Sequence, residues 1–136
     1  GDAVNLTRRL EPVNKDYDTR VIIGEDTFKL ASSAIEARLL DKILVQGKNR
    51  PVMIYELLGK KGEVPEQALK TRNAYEDALG LYWKQDWTGA IACLDRILGE
   101  TPMDGPSITL LRRAKEFLAN PPGPDWSGAY RRENKE

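Results

Sequence analysis

The chain has 136 residues, of which 40% are hydrophobic and 31% are charged, a composition typical of a globular protein. Lysine plus arginine equals aspartate plus glutamate at 21 each, so no net charge favours nucleic acid or an anionic membrane. The absence of histidine and the single cysteine, Cys93, exclude a disulfide framework, a structural zinc site and histidine-based catalysis. No apolar run approaches the length of a membrane span, and we expect a cytoplasmic protein. Short basic pairs such as Arg112 and Arg113 are interpreted as solvated helix faces.

The first part of the chain carries alternating helix and strand signals. Asp2 can cap the first helix, and the β-branched residues before Gly24 indicate a buried strand. The polar, glycine-containing stretch around Gly47 predicts a hairpin connection. The predicted elements are a helix over 3–15, a strand over 19–23, a short helix over 25–31, and strands over 35–45 and 51–58.

The pattern changes to a helical period after a polar, glycine-flanked linker at residues 60–64. Helices are predicted over 65–85, 88–100 and 105–119, with Gly99, Pro102 and the Asn120-Pro121-Pro122 stretch as stop signals. Residues 120–136 predict an extended tail, with Trp126 and Tyr130 anchoring it to the helices. The predicted units are therefore 1–59, the linker 60–64, the helical part 65–119 and the tail 120–136.

Asn5 and Arg9 carry the most informative chemistry of the sequence. They stand four residues apart in a predicted helix, so both project from one face. A side-chain amide beside a guanidinium suits the binding of a phosphoryl group. The planar N–H donors of the guanidinium can form hydrogen bonds with phosphoryl oxygens on which negative charge develops. For an isolated pair, two side chains facing solvent would be the simpler interpretation, but the surrounding residues form a longer motif.

The segment Gly-Asp-Ala-Val-Asn-Leu-Thr-Arg-Arg-Leu-Glu resembles the Gly-Asp-x-Val-Asn-x-Ala-x-Arg motif of the class III adenylate/guanylate cyclases. The resemblance implies that Asn5 and Arg9 stabilise the transition state as the ribose 3′-oxygen attacks the α-phosphate. Thr7 and Arg8 depart from the small residues usual at those positions. Because the chain starts at this motif and lacks an initiating methionine, we expect it to be the C-terminal portion of a cyclase catalytic domain.

A second motif lies in the predicted hairpin. Residues 44–57, Leu-Val-Gln-Gly-Lys-Asn-Arg-Pro-Val-Met-Ile-Tyr-Glu-Leu, are similar to the family's Val-Lys-Gly-Lys-x-x-Pro-Val-x-x-Tyr-Glu-Leu ending. The family's first lysine contacts the nucleotide triphosphate, and Gln46 occupies that position here. Lys48 is retained, so the resemblance implies nucleotide binding by Gln46 and Lys48. Alone, this turn would be interpreted as a polar hairpin tip.

The resemblance covers 1–59 and lacks two of the family's essential parts. The two metal-binding aspartates and the residues that select the purine are absent. The remaining acids of this part are scattered over predicted turns and strand ends, and their spacing offers no replacement metal site: Asp16, Asp18, Glu25, Asp26 and Asp41. The resemblance implies Mg²⁺ or Mn²⁺ in the parent enzyme, with no metal ligand in this chain. The chain alone is therefore expected to be catalytically inactive.

The helical part carries two weaker resemblances. One group of residues resembles the spacing of a tetratricopeptide repeat: Ala78, Leu81, Trp87, Ala90, Leu94 and Pro102. A plain helical hairpin that caps the catalytic domain is an equal alternative. The tail Pro-Pro-Gly-Pro-Asp-Trp-Ser-Gly at 121–128 resembles the C-terminal extensions of bacterial membrane-bound cyclases with an extracytoplasmic sensor.

The sequence thus predicts an α+β fold, in which a partial cyclase (ferredoxin-like) unit of about three strands and two helices precedes an all-α hairpin plus helix. The implied parent converts ATP to 3′,5′-cyclic AMP and pyrophosphate, as a head-to-tail dimer that a membrane anchor could hold at the cytoplasmic side. Adenine is favoured through the tail resemblance alone. Homodimerisation or other self-association is expected, because a sheet cut through its middle exposes strand edges. The alternative is a regulatory or protein-interaction module that retains a degenerate cyclase remnant.

Overall fold

The computed structural model describes residues 13–17, 19, 21–44 and 50–131. These residues form an α+β fold, as the sequence predicted. Within them the elements in chain order are α1 (Val13–Tyr17), β1 (Ile22–Gly24), α2 (Glu25–Ala31), β2 (Ile35–Leu44), β3 (Val52–Lys60), α3 (Glu66–Trp83), α4 (Trp87–Glu100), α5 (Gly105–Ala119) and β4 (Tyr130–Arg131).

The strands form one mixed sheet in the order β1-β3-β2-β4. β3 pairs antiparallel with both β1 and β2, and Ile43 lies opposite Val52 at the end of the β2–β3 pairing. This pairing confirms the predicted hairpin arrangement of the two strands. β4 pairs parallel with β2, with Tyr130 beside Ile43 and Arg131 beside Leu44.

Helix α3 completes the hydrogen bonding of an irregular part of β2. The register shifts between Leu39 and Asp41, which leaves Leu40 without a partner residue in β3. The Leu40 carbonyl accepts a hydrogen bond from the Tyr75 hydroxyl at 2.7 Å, and the Leu39 amide donates to Glu76 Oε2 at 2.9 Å. The helix therefore satisfies backbone groups that a regular ladder would otherwise occupy.

The sheet and the later helices share one hydrophobic core. From the sheet, Leu40 and Ile54 are fully buried, and from the helices Tyr75, Leu94 and Leu110 are fully buried in the same cluster. Burying such side chains supplies about 1.5–3 kcal/mol each relative to exposure. The helices after residue 65 are thus packed against the strands rather than separated from them.

Local signals explain where the helices begin. Asp86 accepts a hydrogen bond from the Gly89 amide at 3.0 Å and so caps the N-terminus of α4. Pro106 lies in the first turn of α5, where its missing amide hydrogen is no loss. Gly62, with φ of +87°, forms the turn between β3 and α3 in the predicted linker.

The tail is anchored to the helices at the two predicted positions. The Trp126 ring contacts the rings of Tyr82, Trp87 and Phe117 at centroid distances of 5.1–5.5 Å. Tyr130 packs against the helical part through its ring, and it also begins β4, a strand that the sequence did not predict.

Of the positions that resemble a tetratricopeptide repeat, Ala78, Ala90 and Leu94 are fully buried. Such burial is expected of any closely packed helical hairpin, so the tetratricopeptide interpretation stays a prediction. Among the described helices, none is both long and apolar enough to cross a membrane.

Candidate functional site

The four site residues named from the sequence, Asn5, Arg9, Gln46 and Lys48, lie outside the described residues. Their roles therefore stay predictions. The structure does describe the elements that adjoin them. Helix α1 begins four residues after Arg9, and strand β2 ends two residues before Gln46.

Helix α1 is held against α5 and the tail by its last two residues. The Asp16 carbonyl accepts a hydrogen bond from the Thr109 hydroxyl at 2.9 Å. The Asp16 carboxylate accepts another from the Tyr130 hydroxyl at 3.2 Å. Tyr17 is fully buried, and its ring meets the Tyr130 ring edge-on at 6.3 Å. The segment that follows the Asn5–Arg9 motif is thus fixed at its C-terminal end.

A buried ionic cluster joins α1, β2 and α5 at this point, and we call it the Asp41 cluster: Tyr17, Asp41 and Arg113. Asp41 Oδ2 accepts hydrogen bonds from the Tyr17 hydroxyl at 2.8 Å and from Arg113 Nη1 at 3.0 Å. Arg113 Nη1 also donates to the Tyr17 oxygen at 3.1 Å. Asp41 and Tyr17 are completely buried, and Arg113 is 8% exposed. Each polar group in the cluster therefore contacts the other two.

The other carboxylate oxygen of Asp41, Oδ1, also accepts hydrogen bonds. Asp41 Oδ1 accepts hydrogen bonds from the Lys42 amide at 2.8 Å and from Trp83 Nε1 at 3.4 Å. Both carboxylate oxygens thus face donors only, which suits the ionised form. The Arg113 guanidinium is further placed 3.7 Å from the centre of the Tyr130 ring, so β4 contributes to the same cluster.

Burial dominates the electrostatics of the cluster. Desolvation raises the pKa of Asp41 to about 6, although the Arg113 charge and the Tyr17 hydrogen bond act to lower it. Asp41 is therefore ionised at neutral pH and pairs with Arg113. Burial likewise raises the pKa of Tyr17 well above its ordinary value, which keeps its hydroxyl protonated as a donor.

A second buried ion pair attaches the start of α5 to the same strand. Arg38 of β2 donates to both carboxylate oxygens of Asp104 at 2.9 Å and to Glu56 Oε1 at 2.7 and 2.9 Å. Asp104 also accepts a hydrogen bond from the Ser107 hydroxyl at 2.5 Å. A bidentate arginine–carboxylate pair fixes both distance and orientation. Helix α5 is therefore tied to β2 at two buried points, Arg38–Asp104 and Asp41–Arg113.

Two expectations about charged residues were wrong. Arg113 was assigned to a solvated basic pair, but it lies on the apolar stripe of α5 with Leu110 and Ala114, and only Arg112 is exposed. Asp41 was grouped with acids scattered over turns and strand ends, but it lies within β2 and is completely buried. Helical spacing placed Arg113 among core positions, and that signal was available in the sequence.

The described residues do not fit the Mg²⁺ or Mn²⁺ that the cyclase resemblance implies. In the part of the chain that the structure describes, no group of three or more aspartate, glutamate, cysteine or histidine side chains could hold a metal ion. Asp41 is surrounded by donors, which leaves no oxygen for a cation. We therefore assign no metal ligand to these residues.

Two known proteins are similar to the chain. The terminal-differentiation-specific adenylate cyclase of Dictyostelium discoideum is 29% identical over 117 residues, which is 83% of this chain. An adenylate cyclase of Anabaena cylindrica is 37% identical over 60 residues, or 42% of this chain. The chain contains an adenylate cyclase-related region. The chain spans a small part of the length of these relatives, 6% of the Dictyostelium protein and 12% of the Anabaena protein. No family model matches the chain, and no solved structure matches it significantly.

The length of the Dictyostelium alignment bears on the helical part. An alignment that covers 83% of 136 residues contains approximately residues 24 to 113, wherever it begins. The adenylate cyclase-related region therefore extends beyond the strands and through α3 and α4.

Proposed function

We propose that the chain is part of a nucleotidyl cyclase that converts ATP to 3′,5′-cyclic AMP and pyrophosphate in signalling. The observation that carries this proposal is the joint occurrence of two features. The segment with Asn5 and Arg9 and the segment with Gln46 and Lys48 both resemble class III cyclase motifs, and 83% of this chain aligns with an adenylate cyclase.

The proposed reaction assigns a separate task to each pair of residues. The ribose 3′-hydroxyl gives its proton to water, and its oxygen bonds to the α-phosphorus. The bond from that phosphorus to the bridging oxygen breaks, and its electron pair leaves with pyrophosphate. Arg9 and Asn5 donate hydrogen bonds to the α-phosphate oxygens, where negative charge increases in the transition state. Gln46 and Lys48 contact the triphosphate and help to hold it in line.

Acidic residues of the parent enzyme outside this chain would hold the Mg²⁺ or Mn²⁺, which would neutralise charge on the phosphates. It follows that these 136 residues alone produce no cyclic nucleotide. In a dimer, each protomer supplies Asn5 and Arg9 to an active site whose acidic residues belong to its partner. The parent acts at the cytoplasmic side, where ATP is available, with or without a membrane anchor.

The two adjacent arginines provide a matched test. In the complete protein that contains this chain, Arg9→Ala should lower kcat for ATP roughly 100-fold or more and change KM little, because it removes a transition-state donor. Arg8→Ala removes the same charge one residue away and should stay within twofold of wild type. Cyclic AMP is measured by mass spectrometry at saturating ATP.

Two outcomes would contradict the proposal. Equal effects of Arg8→Ala and Arg9→Ala would withdraw the role of Arg9. A complete protein that binds ATP but forms no cyclic nucleotide with either metal would favour the alternative, a protein-interaction module with a degenerate cyclase remnant.

A further inference from the structure

We propose that Arg113, in the helical part of the chain, is a positioning residue for the cyclase reaction: it holds α1, which follows Asn5 and Arg9 in the sequence, at a fixed place relative to the end of β2, which precedes Gln46 and Lys48. This inference rests on the proposed function. It assigns a role in catalysis to a helix that lies outside the sequence motifs.

The Asp41 cluster connects the two elements that adjoin the motif segments in the sequence. Tyr17 is the last residue of α1 and lies eight residues after Arg9. Asp41 belongs to β2 and lies five residues before Gln46. Arg113 Nη1 donates to both Tyr17 and Asp41, at 3.1 and 3.0 Å, so one group bridges the two segments.

The bridge that Arg113 forms between Tyr17 and Asp41 is rigid. Tyr17 and Asp41 are completely buried, and each carboxylate oxygen of Asp41 accepts from two donors. A buried and fully satisfied polar network has few alternative arrangements, because each alternative leaves a group unpaired. Side chains from α1, β2, α3 and α5 all take part, so movement of one segment disturbs the others.

Arg113 is itself held in place by neighbouring elements. The start of α5 is fixed to β2 by the bidentate Arg38–Asp104 pair, two turns before Arg113. The guanidinium is also covered by the Tyr130 ring at 3.7 Å, and Tyr130 belongs to a strand paired with Ile43. The C-terminal end of β2 is therefore connected to Arg113 through Asp41 and through β4.

Such a bridge affects turnover because phosphoryl transfer depends on alignment. Asn5 and Arg9 must meet the α-phosphate while Gln46 and Lys48 hold the rest of the triphosphate. A misplacement of about 1 Å can lower a rate by roughly 100-fold. Arg113 touches neither substrate nor reacting atoms in this proposal, and it acts through Tyr17 and Asp41.

The kinetic test uses the complete protein and the neighbouring arginine as control. Arg113→Met should lower kcat by roughly 10-fold to 100-fold, with a much smaller change in KM for ATP. Arg112→Met, at an exposed position of the same helix, should stay within twofold. Tyr17→Phe removes only the hydroxyl and should give a smaller loss in the same direction. Circular dichroism at the assay temperature confirms that each variant is folded.

A second measurement on the full 136-residue chain does not depend on activity. In Tyr17→Phe, amide hydrogen exchange should become faster in both 13–17 and 41–44, by a larger factor than in α4, and Arg113→Met should accelerate exchange in both segments more strongly. Arg112→Met should leave all three segments unchanged.

The outcomes separate the two proposals. Unchanged exchange in 13–17 or in 41–44, or equal kcat for the Arg113 and Arg112 variants, would overturn the positioning role. Faster exchange in both segments, with a complete protein that makes no cyclic AMP, would keep the bridge and reject the cyclase function.

Discussion

Replacing Arg113 with methionine is the sharpest test of what holds the helices to the sheet. Methionine keeps most of the apolar length of the side chain but removes the guanidinium that lies 3.0 Å from Asp41 and 3.7 Å from the centre of the Tyr130 ring. The variant thus leaves a completely buried carboxylate without its ion-pair partner.

The expected cost follows from these contacts. Removing one partner of a buried ion pair destabilises a protein by about 3–5 kcal/mol. Loss of the contact with the Tyr130 ring adds about 1–2 kcal/mol, and the apolar contacts of methionine offset part of the sum. We therefore expect the free energy of unfolding to fall by about 4 kcal/mol at pH 7.5.

The cost should be smaller at low pH. Burial already raises the pKa of Asp41 to about 6, so its contribution to stability is greatest below about pH 4 and decreases as the pH rises to 6. Removing Arg113 takes away an attraction that lowers this pKa, so the pKa rises further. At a pH between the Asp41 pKa of the wild type and the higher Asp41 pKa of Arg113→Met, Asp41 is protonated in the folded variant and ionised in the folded wild type. The destabilisation caused by Arg113→Met therefore increases with pH across this range. We expect the destabilisation caused by Arg113→Met to be about 2 kcal/mol smaller at pH 5 than at pH 7.5.

Urea unfolding followed by tryptophan fluorescence, at pH 7.5 and pH 5, measures both effects. The exposed Arg112→Met is the control and should change stability by less than about 0.5 kcal/mol. A cost below about 1 kcal/mol for Arg113→Met at pH 7.5, or a cost that is no smaller at pH 5, would refute the reasoning about the buried pair.

Two further predictions concern the tail and the hairpin. Gly128→Ala should destabilise the chain by about 1 kcal/mol more than Gly123→Ala in thermal unfolding. Both glycines have positive φ, +85° and +95°, but a Cβ at 128 would lie 3.1 Å from Cδ1 of the Trp83 ring and would displace the flexible end of Lys42, whereas a Cβ at 123 would meet no atom within 4 Å. Equal costs would contradict close packing of the tail on Trp83 and Lys42. In the complete protein, Gln46→Lys should lower KM for ATP at low ionic strength, since an ammonium attracts polyphosphate by about 1–4 kcal/mol before desolvation. An unchanged KM would remove Gln46 from the nucleotide site.

Local signals in the sequence were sufficient for most of the elements. The helix expected over 105–119 is α5 (Gly105–Ala119), and the one expected over 88–100 begins one residue earlier because Asp86 caps it. The strand expected over 35–45 is β2 (Ile35–Leu44). Strong periodicity bounded by proline, glycine or a capping aspartate is a local property, so it can be read without the fold.

The features that were missed depend on residues distant in sequence. β4 pairs with residues 43 and 44, and no local pattern in Tyr130–Arg131 indicates that partner. The Asp41–Arg113 pair joins positions 72 residues apart, so helical spacing indicates a core position for Arg113 but no local pattern identifies Asp41 as its partner. The motif residues Asn5, Arg9, Gln46 and Lys48 were identified by resemblance, and their geometry stays a prediction.

The parallel pairing of β4 with β2 has a consequence for the order in which the chain folds during synthesis. Strands β1 to β3 can pair as soon as they leave the ribosome, but among the described strands none lies beside Ile43 and Leu44 at the outer edge of β2 until Tyr130 and Arg131 have emerged. Pairings between such distant residues form late, because closing a long loop is slow. Within the described sheet, this edge of β2 therefore stays open while the residues between β3 and β4 are synthesised. We expect this edge to be the part of the chain that is most exposed to wrong pairing before residues 121–131 are made.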